Sequence, residues 1–162
     1  MLFRSQLCTL TGESMGLAHE EIDKLHLFCM LHDIGKIGIS DQILKKPGKL
    51  TDEEWEEMKK HPEIGYRIAM SSPDFANVAE FILSHHERWD GKGYPRGLKG
   101  ESIPIHSRIL AVVDAYDAMT QDRVYHKAIS HQEAIDEIIR CSGTQFDPLV
   151  VKMFVREMQK LI

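Results

Sequence analysis

Apolar residues recur at intervals of three and four along almost the whole chain and hardly anywhere alternate with polar ones. That periodicity fits amphipathic helices and leaves no material for a sheet. Residues 2–16 read as a helix stopped by Gly16. Residues 20–32 follow, with Ile22, Leu25, Phe28, Cys29 and Leu31 at helical spacing and Glu20, Glu21 and Asp23 at the end where the helix dipole favours acids. Gly35 is expected to stop this helix and to leave His32 and Asp33 in its last turn. Lys45-Lys46-Pro47-Gly48 is a polar link. Thr51-Asp52-Glu53-Glu54 then has the form of a capping box, in which Thr51 and Glu54 satisfy each other's free backbone donors. The helix it opens is expected to end on His61, since proline disfavours helical backbone in the residue before it. Residues 62–70 and 74–87 give two more helices, the second finishing on His85-His86-Glu87. Residues 89–95 are too rich in Gly and Pro for a helix and read as an ordered loop. Residues 104–119 form the most apolar helix. Ser130 with Glu133 caps the next, and Asp147-Pro148 opens the last. The expected fold is all-α: a compact multi-helix bundle, one domain over residues 1–162.

Composition narrows the function. At 162 residues the chain can bury a proper core. A formal net charge of −5 gives no basic field for DNA and none for a membrane surface. Three scattered cysteines in apolar surroundings, Cys8, Cys29 and Cys141, argue for free thiols in a reducing compartment. No apolar run has the length of a membrane span, and the N-terminus lacks the shape of a signal peptide. The expected location is cytoplasmic.

The chemistry sits at helix ends. His32-Asp33 closes one apolar helix, and His61 and His85-His86 close two others. Adjacent histidines point about 100° apart on a helix, so His85 and His86 address neighbouring positions rather than one. Asp114 and Asp117 lie three apart on one face of the most apolar helix, where a carboxylate is costly unless paired, hydrogen-bonded or on a metal. Asp114 is read as a ligand. For Asp117 a place at the site, a partner such as Arg108 or Arg123, and exposure to water all stay open. Four imidazoles and at least two carboxylates without thiolate suit Fe, Mn or Zn better than Mg or Ca. Two such ions bridged by a carboxylate activate water and neutralise phosphate charge. Lys36 follows the His-Asp pair closely enough to hold a phosphate oxygen.

Several motifs in order carry a resemblance. His32-Asp33-Ile34-Gly35-Lys36, Lys46-Pro47-Gly48, His61-Pro62, and the run His85-His86-Glu87-Arg88-Trp89-Asp90-Gly91-Lys92-Gly93-Tyr94-Pro95 precede Asp114-Ala115-Tyr116-Asp117 and Phe146-Asp147-Pro148. Over nearly its whole length the chain resembles the HD-GYP family, HD-superfamily phosphodiesterases of cyclic di-GMP. The resemblance implies hydrolysis of that dinucleotide to pGpG, sometimes on to GMP, by hydroxide generated at two divalent ions. Fe or Mn come first, with Zn, Ni or Mg also suited. It implies His32, Asp33, His61, His85, His86 and Asp114 as metal ligands, Asp33 bridging. Lys36 and Asp117 would stand beside the phosphate and the attacking hydroxide, and Tyr94, Arg123 and Lys127 would contact substrate. The Gly93-Tyr94-Pro95 loop would be a surface for diguanylate cyclase domains, and a homodimer is compatible with the family.

Two departures stand out. The family carries another ligand histidine about nine helical turns of sequence before the His-Asp pair, whereas residues 1–18 contain none. The first helix is therefore expected to be partly truncated, with at most two metals and one of them weakly held. Where many members have Arg-Pro-Tyr and a basic residue, this chain has Arg123-Val124-Tyr125-His126-Lys127. Two alternatives follow: an impaired module that binds nucleotide or a partner protein in signalling, and a phosphohydrolase of another cyclic dinucleotide or nucleotide.

Overall fold

A computed structural model describes residues 4–122 and 127–161, all helix, turn and loop. The helices are α1 (Arg4–Ser14), α2 (His19–Leu31), α3 (Asp41–Leu44), α4 (Asp52–Met58), α5 (His61–Met70), α6 (Ala79–Ser84), α7 (Ile105–Thr120), α8 (His131–Arg140) and α9 (Pro148–Met158). Three short 3-10 turns join them, at Ile34–Gly38, Ala76–Val78 and Gly100–Ser102. No strand occurs among the described residues, and the all-α expectation holds.

Helix α7 is the axis of the bundle. Ile109, Leu110, Val112 and Val113 are each at most 1% exposed, and burying one such side chain is worth about 1.5–3 kcal/mol. That apolar stripe fixes the rotation of α7 and so decides where Asp114 and Asp117 point. Helix α1 packs across α2, α7 and α9, while α5 packs on α6 and on the Ile34–Gly38 turn. Cys8 and Cys29 are buried free thiols, as the sequence suggested.

The capping signals behave as read. Thr51 Oγ1 accepts from the Glu54 amide at 3.3 Å and Glu54 answers at the Thr51 amide at 2.7 Å. Ser130 and Glu133 repeat the arrangement on α8, and Asp147 accepts from the Leu149 amide at 2.8 Å ahead of Pro148.

Three boundaries differ, all at histidines. His61 opens α5 instead of ending the helix before it. Pro62 is tolerated there because the first helical amides have no intrahelical acceptor to lose. The 74–87 segment becomes the Ala76–Val78 turn followed by α6, which stops at Ser84, so His85 and His86 lie beyond the helix. His32 is the C-cap of α2, and Asp33 is the N-cap of the Ile34–Gly38 3-10 turn.

Gly35 does not stop a helix; it lies inside that turn, where the backbone passes close to α5. A Cβ at Gly35 would sit 1.8 Å from the His61 carbonyl oxygen and 2.5 Å from the Gly65 amide nitrogen. The turn carrying Asp33 and the helix carrying His61 meet only because this position has no side chain. Gly35→Ala is expected to lower unfolding free energy by about 2 kcal/mol or more, the usual scale of an overpacked contact. Urea denaturation checks this, and a change within about 0.5 kcal/mol would contradict the contact.

Candidate metal centre

Three histidines lie just past the end of a helix, His32 and His85 as C-caps and His61 three residues after Met58, and use the same bond. His32 Nδ1 meets the Cys29 carbonyl at 2.8 Å, His61 Nδ1 the Met58 carbonyl at 2.7 Å, and His85 Nδ1 the Ile82 carbonyl at 2.6 Å. The last carbonyls of a helix lack intrahelical donors, so each ring N–H finds an acceptor three residues back. A proton on Nδ1 leaves Nε2 of a neutral imidazole as a bare lone pair. The helix end thus sets both ring orientation and tautomer, the task usually given to groups behind a metal's ligands.

The lone pairs of His61 and His85 converge, and His86 joins them. His61 Nε2 lies 3.2 Å from His85 Nε2 and 3.1 Å from His86 Nε2. Asp33 Oδ1 is 3.5 Å from His61 Nε2 and 3.8 Å from His85 Nε2. The four donor atoms all lie within 4.8 Å of one another. Ligand atoms about 2 Å from one shared ion stand roughly 3–4 Å apart, which matches. Two bare imidazole nitrogens at 3.2 Å repel each other, and a cation between them turns repulsion into coordination. The donor set therefore fits a divalent ion on its own geometry.

Electrostatics agree. Burial, reinforced by neighbouring rings, pushes His85 well below the usual imidazole pKa and His86 down to about 3. Burial also lowers His61. All three are neutral near pH 7, the state a ligand needs. For Asp33 burial acts upward, yet His32 and Lys36 outweigh it and hold its pKa below the ordinary carboxylate value.

The two oxygens of Asp33 face different ways. Oδ1 points to His61 and His85, while Oδ2 lies 3.4 Å from His32 Nε2 and accepts from Lys36 Nζ at 2.7 Å. His32 and Asp114 do not join the four-donor cluster. They meet Arg4 instead: Nη1 lies 3.1 Å from His32 Nε2 and 2.9 Å from Asp114 Oδ1. Its Nη2 donates to Asp117 Oδ2 at 2.8 Å. Asp117 is buried and takes a further bond from Gln121 on its other oxygen. The aspartates on α7 do have an arginine partner, Arg4, and it is not the expected Arg108. Arg108 pairs with Asp147 at 2.7 Å, and Arg123 lies outside the described residues.

The loop after His86 folds back over the cluster. Glu87, buried, accepts from the amides of Arg96 at 2.7 Å and Leu98 at 2.9 Å. A Cβ on Gly93 would meet the Arg88 nitrogen at 2.4 Å and the His86 oxygen at 2.5 Å, so the return pass needs glycine. The Tyr94 ring ends up stacked on His86, centroids 4.9 Å apart, with Trp55 edge-on at 6.3 Å. Burial raises the Tyr94 hydroxyl to about 12, so it stays a neutral donor. A cleft of about 210 Å³ opens beside His85, His86, Arg88 and Asp114. Lys127 is exposed.

Glu87 and Arg4 are residues to which sequence reasoning assigned no role. Glu87 stands inside the quoted motif and is legible only once the loop it ties down is seen. Arg4 had one signal, its place as the single cation on the first helix.

Comparison with known proteins places this geometry. The HD domain family matches residues 4–150. The chain belongs to the HD domain family. Within it, the chain is 49% identical over 147 residues to a cyclic di-GMP phosphodiesterase of Thermotoga maritima, covering 90% of this chain and 40% of that protein. It is 45% identical over 148 residues to a cyclic di-GMP phosphodiesterase of Vibrio cholerae, covering 87% and 30%. The chain thus spans well under half the length of these relatives. The fold matches a crystal structure of a cyclic GMP-AMP-specific phosphodiesterase from V. cholerae with TM-score 0.76 at 22% identity, covering 96% of this chain and 42% of that one. No helix among the described residues is long and apolar enough to cross a membrane.

The lowered histidine pKa values set a pH dependence for metal-free protein. Unfolded histidine titrates near 6.5, so as pH falls below about 6.5 the unfolded chain binds protons that the folded cluster refuses, down to about 3 for His86. Stability is complete above that window and lost through it. Chelated protein is expected to unfold at lower urea at pH 5 than at pH 7.5, by at least about 2 kcal/mol. An unchanged midpoint would contradict neutral buried imidazoles.

Proposed function

We propose that this chain hydrolyses a 3′–5′ phosphodiester of a cyclic dinucleotide, cyclic di-GMP first, giving linear pGpG and further GMP. The observation that carries the proposal is the convergence of the His61 and His85 imidazole nitrogens, both oriented by helix-end carbonyls, with His86 on one oxygen of Asp33. The relatives named for cyclic di-GMP supply the substrate class.

His61, His85, His86 and Asp33 would hold a divalent ion, iron or manganese by the mixed N/O donor set. When bound, such an ion supplies Lewis acidity toward a phosphoryl oxygen and makes water acidic enough to attack near neutral pH. The chain's own groups do the rest. Lys36 sits against Asp33 with its ammonium partly exposed, placed to donate to a substrate phosphate oxygen without a large move. Fixed charges of this kind stabilise the crowded charge of a phosphoryl transition state. Tyr94 closes one side of the cluster over His86, with its hydroxyl kept neutral by burial. Glu87 keeps the loop in that pose, so its part is positioning.

A second reading, cleavage of a cyclic dinucleotide other than cyclic di-GMP, draws on the fold match to a cyclic GMP-AMP enzyme. Chromatography of the products from metal-loaded protein given cyclic di-GMP and cyclic GMP-AMP separates the two. Cyclic di-GMP is expected to turn over faster, and chelation is expected to abolish it. His61→Ala is expected to cut the rate by about 100-fold or more, the scale of losing a well-built ligand environment. Undiminished turnover after chelation or in His61→Ala would contradict the proposal. Tight nucleotide binding without hydrolysis would select a signalling module instead.

A further inference from the structure

We propose that the Arg4 guanidinium is a built-in cation seated where a second metal ion would otherwise join His32, Asp114 and Asp117, so that the protein carries one divalent ion. The inference rests on the metal reading of the neighbouring cluster and goes beyond it.

The side chains around Arg4 form a second donor set beside the first. His32 Nε2, Asp114 Oδ1 and Asp117 Oδ2 each lie within 3.1 Å of a guanidinium nitrogen. Asp33 links the two sets through its opposite oxygens. His32 is prepared as a ligand by the same Nδ1 bond to a helix-end carbonyl that His61 and His85 make. Here its lone pair receives an N–H of Arg4. Guanidinium cannot give up its proton in a protein, so it cannot share these acceptors with a metal and must leave for one to enter. Its departure would strip the buried Asp117 of its two nitrogen contacts from Arg4.

Charge counting points the same way. Three carboxylates, Asp33, Asp114 and Asp117, face two organic cations, Arg4 and Lys36, across neutral imidazoles. The site as built is therefore one charge negative. One divalent ion turns that into one positive charge, and a second into three, in surroundings partly shielded from water. An ion pair of like sign at such range is strongly repulsive. The architecture thus accommodates one ion with Arg4 in place and two only without it.

The test is metal stoichiometry. The whole chain, stripped by chelation and equilibrated with Mn(II), is measured by elemental analysis and electron paramagnetic resonance. The wild-type protein is expected to hold one ion with the six-line spectrum of an isolated Mn(II). Arg4→Met, which keeps much of the stem and removes the charge, is expected to hold two, with the spectrum of a coupled pair. Arg4→Lys is expected to stay at one. Asp114→Asn, in a chain that retains Arg4, is expected to stay at one with affinity within twofold, which keeps the inference open to disproof should the Arg4 variants not fold. Two ions in the wild-type chain, one in folded Arg4→Met, or loss of the ion in Asp114→Asn would overturn the inference and leave the His61 cluster standing. No ion in the wild-type protein would overturn that cluster's reading and this one together.

Discussion

The bond on which the site depends is an imidazole N–H given to the last free carbonyl of a helix. Repeated at α2, at α4 and at α6, it does three things at once. It satisfies a carbonyl that the helix leaves without a donor, it fixes the ring, and it strips the proton from the nitrogen facing inward. Because the three helix ends are held together by an apolar core around α7, the lone pairs of His61 and His85 arrive at one oxygen of Asp33 and that of His32 at the other. A site placed on rigid element ends in this way needs little reorganisation when a cation enters.

Asp33 divides the region into two. One oxygen faces neutral imidazoles and the other faces Lys36 and His32, with Arg4 just beyond. The two halves differ in what balances their carboxylates: the first has no cation of its own, and the second already has a guanidinium. The same backbone contact that brings Asp33 to His61, over Gly35, therefore governs the relation between the halves. The loop after His86 adds a lid of fixed shape, tied by Glu87 and by the tight return at Gly93, with Tyr94 laid on His86.

Much of this was visible in the sequence because its signals are local. Thr51 with Glu54, Ser130 with Glu133 and Asp147 with Pro148 start helices by chemistry confined to four residues, and the structure starts helices there. The apolar stripe of α7 was equally plain. The misplacements fall on His32, His61 and His85, where the signal of a helix end is carried by a ring N–H reaching a carbonyl, a bond that no spacing rule encodes. Gly35 looked like a stop signal because glycine often is one; its reason lies 26 residues away in the His61 carbonyl. Arg4 stayed hidden for the same cause: its partners are 28, 110 and 113 positions distant, and only the packing of α1 across α2 and α7 brings them together.

Crystals of the protein soaked in Mn(II) and measured at the manganese edge test the central claim most directly. An anomalous peak about 2 Å from the Nε2 atoms of His61, His85 and His86, with Asp33 Oδ1 completing the shell, is the expected result. A map without a peak at that position, in protein that remains folded and fully soaked, would contradict it.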